Sequence, residues 1–135
     1  MAGYSDTPLL RKLGITDDDI VALIGAPQGV IPLPATVPVR TTARGSADVV
    51  VAFFAQRSDL ERRVRALGRM IFPAGGLWVA WPKRSSGMPT DITDEVVRQV
   101  ALPLGLVDNK VCAIDDTWSG LRVVWRKERR DRLPV

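Results

Sequence analysis

The sequence predicts an α/β domain with a mostly parallel sheet that ends in an antiparallel hairpin. Apolar strand-like segments alternate with amphipathic helical segments, a pattern typical of parallel strands joined by right-handed crossovers. The last two strand-like segments are separated by a short turn, which joins only antiparallel strands. The chain has 135 residues, 46% of them hydrophobic and 25% charged, which fits a single globular domain. We divide it into an N-terminal arm (1–17), an α/β core (18–126) and a flexible basic tail (127–135).

The first part of the core is predicted to contain strands joined by turns. The segment DDIVALIG (18–25) has the pattern of a first strand that enters the glycine-containing turn GAPQG. Three prolines in VIPLPATVPV (30–39) argue against a regular helix, and a short strand is predicted at 38–41. The run DVVVAFFA (48–55) is apolar without alternation, which favours a strand covered on both faces.

Two helices are predicted from capping signals. Ser58 and Glu61 have the spacing of a capping box, so the first helix is expected to have Ser58 at its N-cap. Its apolar stripe consists of Leu60, Val64, Leu67 and Ile71. Thr93 is expected to cap the second helix, with Asp91 assisting, and Gly105 to end it. The apolar face of this helix consists of Val96, Val97, Val100 and Leu104.

The remaining strands are predicted at 77–81, 106–114 and 120–126. The first of them, LWVAW, is apolar throughout and is expected to be buried. Trp78 and Trp81 are an odd number of residues apart, so we expect them to face opposite sides of the sheet, where both pack in the core.

Composition excludes several kinds of site. The chain has no histidine, which removes the usual general base near neutral pH and the commonest metal ligand. Its single cysteine, Cys112, excludes an internal disulfide and is expected to be a buried, inert thiol. We therefore predict no metal site. The longest apolar run is too short to span a bilayer and the N-terminus lacks the apolar stretch of a signal peptide, so we expect a cytoplasmic protein without membrane contact.

The net charge of +4 is concentrated near the C-terminus. The run RKERRDR (126–132) contains five basic and two acidic residues, which gives +3. This run, together with Arg62, Arg65 and Arg69 on one face of the first predicted helix, could contact nucleic acid. A solvated terminus and a solvated helix face are the favoured interpretation, and nucleic acid is kept as an alternative partner.

The order of elements over 18–126 resembles the C-terminal half of class I S-adenosylmethionine-dependent methyltransferases, which have a Rossmann-like three-layer fold. The strand after the turn PAGG and the reversed last strand are typical of that family. The resemblance implies a reduced methyltransferase-like topology. The family's glycine-rich cofactor turn is replaced here by GAPQG (25–29), and the acidic residue expected after the second strand is absent from VPVRTTARG (37–45). We therefore expect no cofactor, S-adenosylmethionine included.

A second resemblance rests on longer phrases. LLRKLGI near the start, GGLWVAWPK, and TDITDEVVRQVALPLGLVDNKVCAIDDTWSGLRVVWRK are similar to a small actinobacterial domain family of unknown function. The resemblance covers nearly the whole chain, apart from the proline-containing segment 30–37. It implies the fold and no activity.

The predicted fold indicates where a ligand would bind. Open α/β sheets bind ligands at the carboxyl ends of their strands. Four segments are expected at this edge: 25–29, 56–57, 82–91 and 115–120. The candidate ligand-binding residues among them are Gln28, Lys83, Arg84, Ser85, Ser86, Asp115, Asp116 and Trp118.

Two interpretations of these residues are open. Lys83 and Arg84 could bind a phosphate or carboxylate, with the two serines donating hydrogen bonds and Trp118 stacking on the ligand. Alternatively, Lys83 could bridge to Asp115 or Asp116 and lock the fold, with Trp118 closing the sheet edge. We predict a non-catalytic binding or regulatory module whose ligand is an anionic small molecule or a protein partner. A divergent methyltransferase, a nucleic-acid-binding protein and homodimerisation through a sheet edge or Trp125 are the alternatives.

Overall fold

A computed structural model of the protein describes residues 8–33 and 38–131. The strands are β1 (Val21–Ile24), β2 (Val39–Arg40), β3 (Val49–Phe53), β4 (Gly76–Pro82), β5 (Leu106–Ala113) and β6 (Trp118–Trp125). The α-helices are α1 (Pro8–Leu13), α2 (Arg57–Ile71) and α3 (Asp94–Ala101), and single 3-10 turns span Arg84–Ser86, Leu102–Leu104 and Lys127–Arg129. Parts of the predicted arm (1–7), of the proline-rich segment (34–37) and of the predicted tail (132–135) lie outside the described residues.

The six strands form one mixed sheet with the order β2-β1-β3-β4-β6-β5. Strands β1 to β4 pair in parallel, and β6 runs antiparallel to both β4 and β5. The carboxyl ends of the parallel strands therefore lie at one edge, and the turn that precedes β6 lies at the same edge. The predicted α/β class, the mostly parallel sheet and the C-terminal antiparallel hairpin are confirmed.

The first face of the sheet is covered by α2 and α3. The predicted apolar stripe of α2 is buried against β3, β4 and β6, because its apolar residues recur at helical spacing. The Trp125 ring packs over Gly68 of α2, and its indole N–H donates to the Gly68 carbonyl oxygen at 2.8 Å. Since Trp125 is only 3% exposed, it cannot serve as a surface contact for a second copy of the chain.

The second face is covered more thinly, by α1 and the segment around Ile31. Leu10, Leu13 and Ile15 are buried there, so the predicted N-terminal arm contributes to the core from Pro8 onward. The Trp78 indole N–H donates to the Leu13 carbonyl oxygen at 2.9 Å and ties α1 to β4. Trp78 lies on this face and Trp81 on the other, as predicted.

The start of α2 differs from the prediction. The N-cap residue is Gln56, and it makes no side-chain capping bond. Instead, the Asp91 carboxylate accepts a hydrogen bond from the Arg57 backbone N–H at 2.6 Å. The capping box at Ser58 was therefore wrong, because a carboxylate from the loop before α3 supplies the cap. Thr93 caps α3 as predicted, because its hydroxyl accepts a hydrogen bond from the Val96 N–H at 3.2 Å. Asp91, which was expected to assist at α3, caps α2 instead.

The first residues of the basic tail are held against the domain. Lys127–Arg129 forms a 3-10 turn, and Arg130 donates to the Trp125 carbonyl oxygen at 2.9 Å. Arg129 donates to the Leu104 carbonyl oxygen at 3.3 Å and packs over Gly105. Both guanidinium groups thus bind carbonyl oxygens at the ends of neighbouring elements, and the flexibility expected for the tail stays a prediction. No helix in the described residues is long and apolar enough to cross a membrane.

The capping of α2 can be tested by mutation. We expect Asp91→Ala to lower the free energy of unfolding by about 1 kcal/mol, because it removes the acceptor for the first N–H of the helix. Ser58→Ala serves as the matched control and should change stability by no more than about 0.5 kcal/mol. Urea denaturation followed by circular dichroism measures both. A larger loss for Ser58→Ala than for Asp91→Ala would contradict this assignment.

Candidate functional site

Two of the segments predicted at the carboxyl edge, the loop after β4 and the turn before β6, are joined at the end of β4. Pro82 lies opposite Trp118 of β6, and the Lys83 backbone N–H donates to the Thr117 carbonyl oxygen at 2.7 Å. The loop that leaves β4 is thus joined to the turn that enters β6. The predicted convergence of these two segments is confirmed.

The loop between β4 and α3 is fixed by its own hydroxyl groups. The Ser86 hydroxyl donates to the Lys83 carbonyl oxygen at 2.7 Å and accepts from the Met88 N–H at 3.2 Å, which closes the 3-10 turn. Gly87 follows with a φ of 79°, a left-handed conformation that favours glycine. Further along, the Thr90 hydroxyl donates to the Ala55 carbonyl oxygen at 2.6 Å. The loop therefore spans from the end of β4 to the junction of β3 and α2.

A cleft of 470 Å³ lies beneath this loop, and we call it the carboxyl-edge cleft. Its lining combines apolar surface with one cation: Trp81, Pro82, Arg84, Gly87, Met88, Pro89, Thr90, Ile92, Thr93 and Asp94. Arg84 is exposed, and within residues 8–33 and 38–131 its guanidinium has no hydrogen bond or ion pair. Asp94, the other charged group, forms an ion pair with Arg98 at 3.1 Å. The cleft thus carries one uncompensated positive charge.

Lys83 and Arg84 do not line the same cleft: Arg84 lines the carboxyl-edge cleft and Lys83 does not. Lys83 is half-buried, and its charge acts on Cys112, which lies on the second face of the sheet. Burial raises the pKa of the Cys112 thiol, and the positive charges of Lys12, Lys110 and Lys83 offset this only in part. A thiol held in its neutral form is a poor nucleophile, in agreement with the expected inert role.

The carboxylate of Asp115 builds the turn before β6. One of its oxygens accepts from the Thr117 N–H at 2.8 Å and from the Trp118 N–H at 2.7 Å. Asp116 is exposed. The ion pairs found among the described residues do not include the bridge expected from Lys83 to Asp115 or Asp116. The Asp115 carboxylate is instead engaged by backbone N–H groups of its own turn.

Three other candidates lie outside the lining of the cleft. Trp118 is 8% exposed and packs edge-on against Phe53, with ring centroids 5.1 Å apart and planes at 87°. It closes the sheet edge and has no free ring face for a ligand. Gln28 is exposed in the turn after β1, two strands from β4, which is roughly 10 Å across the sheet. Ser85 is exposed on the loop and lies outside the lining of the cleft.

The cleft also contains residues that the sequence did not single out. Met88 is 41% exposed on the loop, whereas Trp81 and Ile92 are buried beneath it. Trp81 was assigned to core packing alone, which is correct for most of its ring. The sequence signal that could have indicated apolar surface here is Met88, an apolar residue in an otherwise mostly polar loop.

The residues at the other end of this edge do not fit S-adenosylmethionine as the methyltransferase family holds it. At the end of β2, where that family has a carboxylate for the ribose hydroxyls, the chain has Arg40. The Arg40 guanidinium donates to the Arg44 and Ser46 carbonyl oxygens and closes its own loop. A guanidinium has only N–H donors, so it cannot accept the hydrogen bonds that ribose hydroxyls donate to a carboxylate.

Comparison with known proteins supports the fold. The chain is similar to magnesium protoporphyrin IX methyltransferase (ChlM) from Synechocystis PCC 6803, with bound SAM and with bound SAH. For the first structure the TM-score is 0.56 at 12% identity, covering 80% of this chain and 70% of that chain. For the second the TM-score is 0.56 at 12% identity, covering 80% and 74%. Identity this low shows a shared methyltransferase-like fold and no shared activity.

No protein-family model matches the chain, and neither does any curated protein. The resemblance to a small family of unknown function therefore stays a prediction.

The turn before β6 gives a second test. We expect Asp115→Ala to lower the free energy of unfolding by about 1 to 2 kcal/mol, because two backbone N–H groups lose their shared acceptor. Asp116→Ala removes the same charge from the neighbouring position and should stay within about 0.5 kcal/mol of the parent. Thermal or urea unfolding compares the pair. Equal losses would show that charge, and not the turn geometry, matters at this position.

Proposed function

We propose that the protein is a non-catalytic binding module that takes a small anionic ligand in the carboxyl-edge cleft. The observation that carries this proposal is the Arg84 guanidinium, which lines an open cleft of 470 Å³ without a partner in the described part of the chain. Parallel α/β sheets bind ligands at this edge, which adds a general reason.

The chemistry of the cleft favours an amphiphilic anion. A guanidinium binds carboxylate or phosphate through paired N–H donors, and Met88 and Ile92 offer apolar contacts beside it. Mostly apolar walls with a few polar groups are the usual make-up of small-molecule sites, and Asp94, the other charged group of this lining, is paired with Arg98. An aromatic or aliphatic carboxylate, or a phosphate ester with an apolar group, has matching chemistry.

The absence of a poised acid–base group supports binding without catalysis. The chain contains no histidine, and its cysteine is buried with a raised pKa. Asp94, the carboxylate that lines the cleft, forms an ion pair with Arg98, and Asp91 and Asp115 accept hydrogen bonds from backbone N–H groups. Each of these carboxylates is engaged in holding the fold, whereas a general base must be able to accept a proton from a ligand.

Titration with a small anion tests the proposal. We expect benzoate and phenyl phosphate to shift the backbone amide resonances of residues 84–93 in ¹⁵N–¹H NMR spectra. Arg84→Gln should weaken this binding by about tenfold or more, because it removes the charged donors. Arg63→Gln removes an exposed arginine from the outer face of α2 and should leave the affinity unchanged. Unaltered affinity in Arg84→Gln would overturn the proposed site.

A divergent S-adenosylmethionine-dependent methyltransferase is the second candidate, and the fold alone favours it. Because Arg40 occupies the place of the ribose-binding carboxylate, we expect calorimetric titration with S-adenosylmethionine and S-adenosylhomocysteine to give no binding heat. Clear heat with micromolar affinity would instead favour the enzyme. Arg40→Asp, which restores a carboxylate, is the comparison that shows whether this position decides.

A further inference from the structure

A second cleft, of 340 Å³, lies at the opposite edge of the sheet, and we call it the amino-edge cleft. It is formed where β3 and β4 begin, beside the turn that joins α2 to β4. Arg122 of β6 forms part of its wall. The cleft is separate from the carboxyl-edge cleft, because the two lie at opposite ends of β4.

The position of Arg122 depends on a glycine. Arg122 lies opposite Trp78 of β4 in the antiparallel pairing, and its guanidinium crosses the backbone at Gly76. A Cβ atom added to Gly76 would come within 2.6 Å of the Arg122 Cζ atom. The missing side chain at Gly76 therefore makes the space in which this guanidinium lies.

The charge of Arg122 is not compensated within the described residues. It is half-buried, and residues 8–33 and 38–131 provide it with neither a hydrogen bond nor an ion pair. Lys110, which lies opposite Arg122 on the neighbouring strand β5, also carries a positive charge. Burial, and then the positive charge of Arg130, lower the pKa of the Arg122 guanidinium. A partly desolvated guanidinium gains when an oxyanion replaces its lost water.

Carboxylates on other parts of the cleft restrict the kind of anion. Asp48 accepts from the Ile20 N–H at 2.7 Å, and Asp19 accepts from the Thr16 N–H at 2.7 Å. Both line the cleft, so a ligand with negative charge alone would be repelled from this part. A ligand that directs an oxyanion toward Arg122 and a cationic donor toward Asp48 would be attracted by both. Ile71 and Phe72 add apolar surface to the lining.

We propose that the amino-edge cleft is a binding site for a small zwitterion in which a carboxylate or phosphate is bound by Arg122 and an adjacent amine faces Asp48. Free α-amino acids and amino-phosphate compounds have this chemistry. The site is independent of the function proposed for the carboxyl-edge cleft.

The site is tested with three probes: phenylalanine, N-acetylphenylalanine and phosphoethanolamine. We expect phenylalanine or phosphoethanolamine to shift the amide resonances of Ile20, Gly75 and Gly76 in NMR titrations. Shifts with phenylalanine alone would show that the site binds a carboxylate, and shifts with phosphoethanolamine alone would show that it binds a phosphate. N-acetylation should weaken binding by about tenfold or more, because it removes the positive charge that faces the aspartates. No shift with either zwitterion would overturn the proposal, and so would equal binding of N-acetylphenylalanine.

Two variants locate the site. Arg122→Gln should abolish the shifts, and Arg126→Gln, an exposed arginine just after the same strand, should leave them unchanged. Gly76→Ala keeps the guanidinium in the chain but places a methyl group where it lies, so binding should fall by about tenfold even if the fold is retained. Because Gly76→Ala retains Arg122, it tests the position of the guanidinium even if Arg122→Gln fails to fold. Undiminished binding in Gly76→Ala or in Arg122→Gln would contradict the assignment.

Discussion

Strand β4 is buried along its whole length, from Gly76 to Pro82, and the rest of the structure is arranged around this requirement. A strand buried on both faces needs cover on both, and its two tryptophans lie in opposite cores. Helices α2 and α3 cover one side, and α1 covers the other through the bond from Trp78 to Leu13. Both clefts lie at the ends of this strand, because only there does the chain leave the buried layer. The burial of β4 is therefore consistent with the position of both clefts at its two ends.

The second face explains why the fold is reduced relative to the methyltransferases it resembles. The described part of the connection between β1 and β2 contains no helix, and the residues around Ile31 take over part of the cover. In the described residues between β1 and β2, the turn is therefore followed by no helix N-terminus that could bind a phosphate or a cofactor carboxylate. The change at the end of β2, where Arg40 binds its own loop, is on the same side of the sheet edge. Near β1 and β2, Arg40 binds its own loop at this edge, whereas near β4 the edge has an open cleft.

The parts of the fold that follow from local pattern were predictable from the sequence. The stripe of α2 and the continuous apolar runs of β3 and β4 specify burial directly, and the short turn specifies the hairpin. Features that depend on contacts between distant residues were not predictable. Asp91 caps α2 from a position 34 residues away, so the local capping signal at Ser58 misled. Arg122 alternates with buried residues along β6, but nothing in the sequence shows that Gly76 makes room for its guanidinium.

The acidic and basic groups around the loop between β4 and α3 have different roles at the carboxyl edge. The acceptors lock the fold: Asp91 holds α2, Asp115 holds the turn before β6, and both are satisfied by backbone N–H groups. These carboxylates form no ion pair with Lys83 or Arg84 among the described residues. Arg84 is therefore an exposed cation on the carboxyl-edge cleft, and clefts with low-dielectric walls concentrate the field of such a charge on an approaching anion. The loop between β4 and α3 thus stabilises α2 through Asp91, and it carries Arg84, on which the proposed ligand site depends.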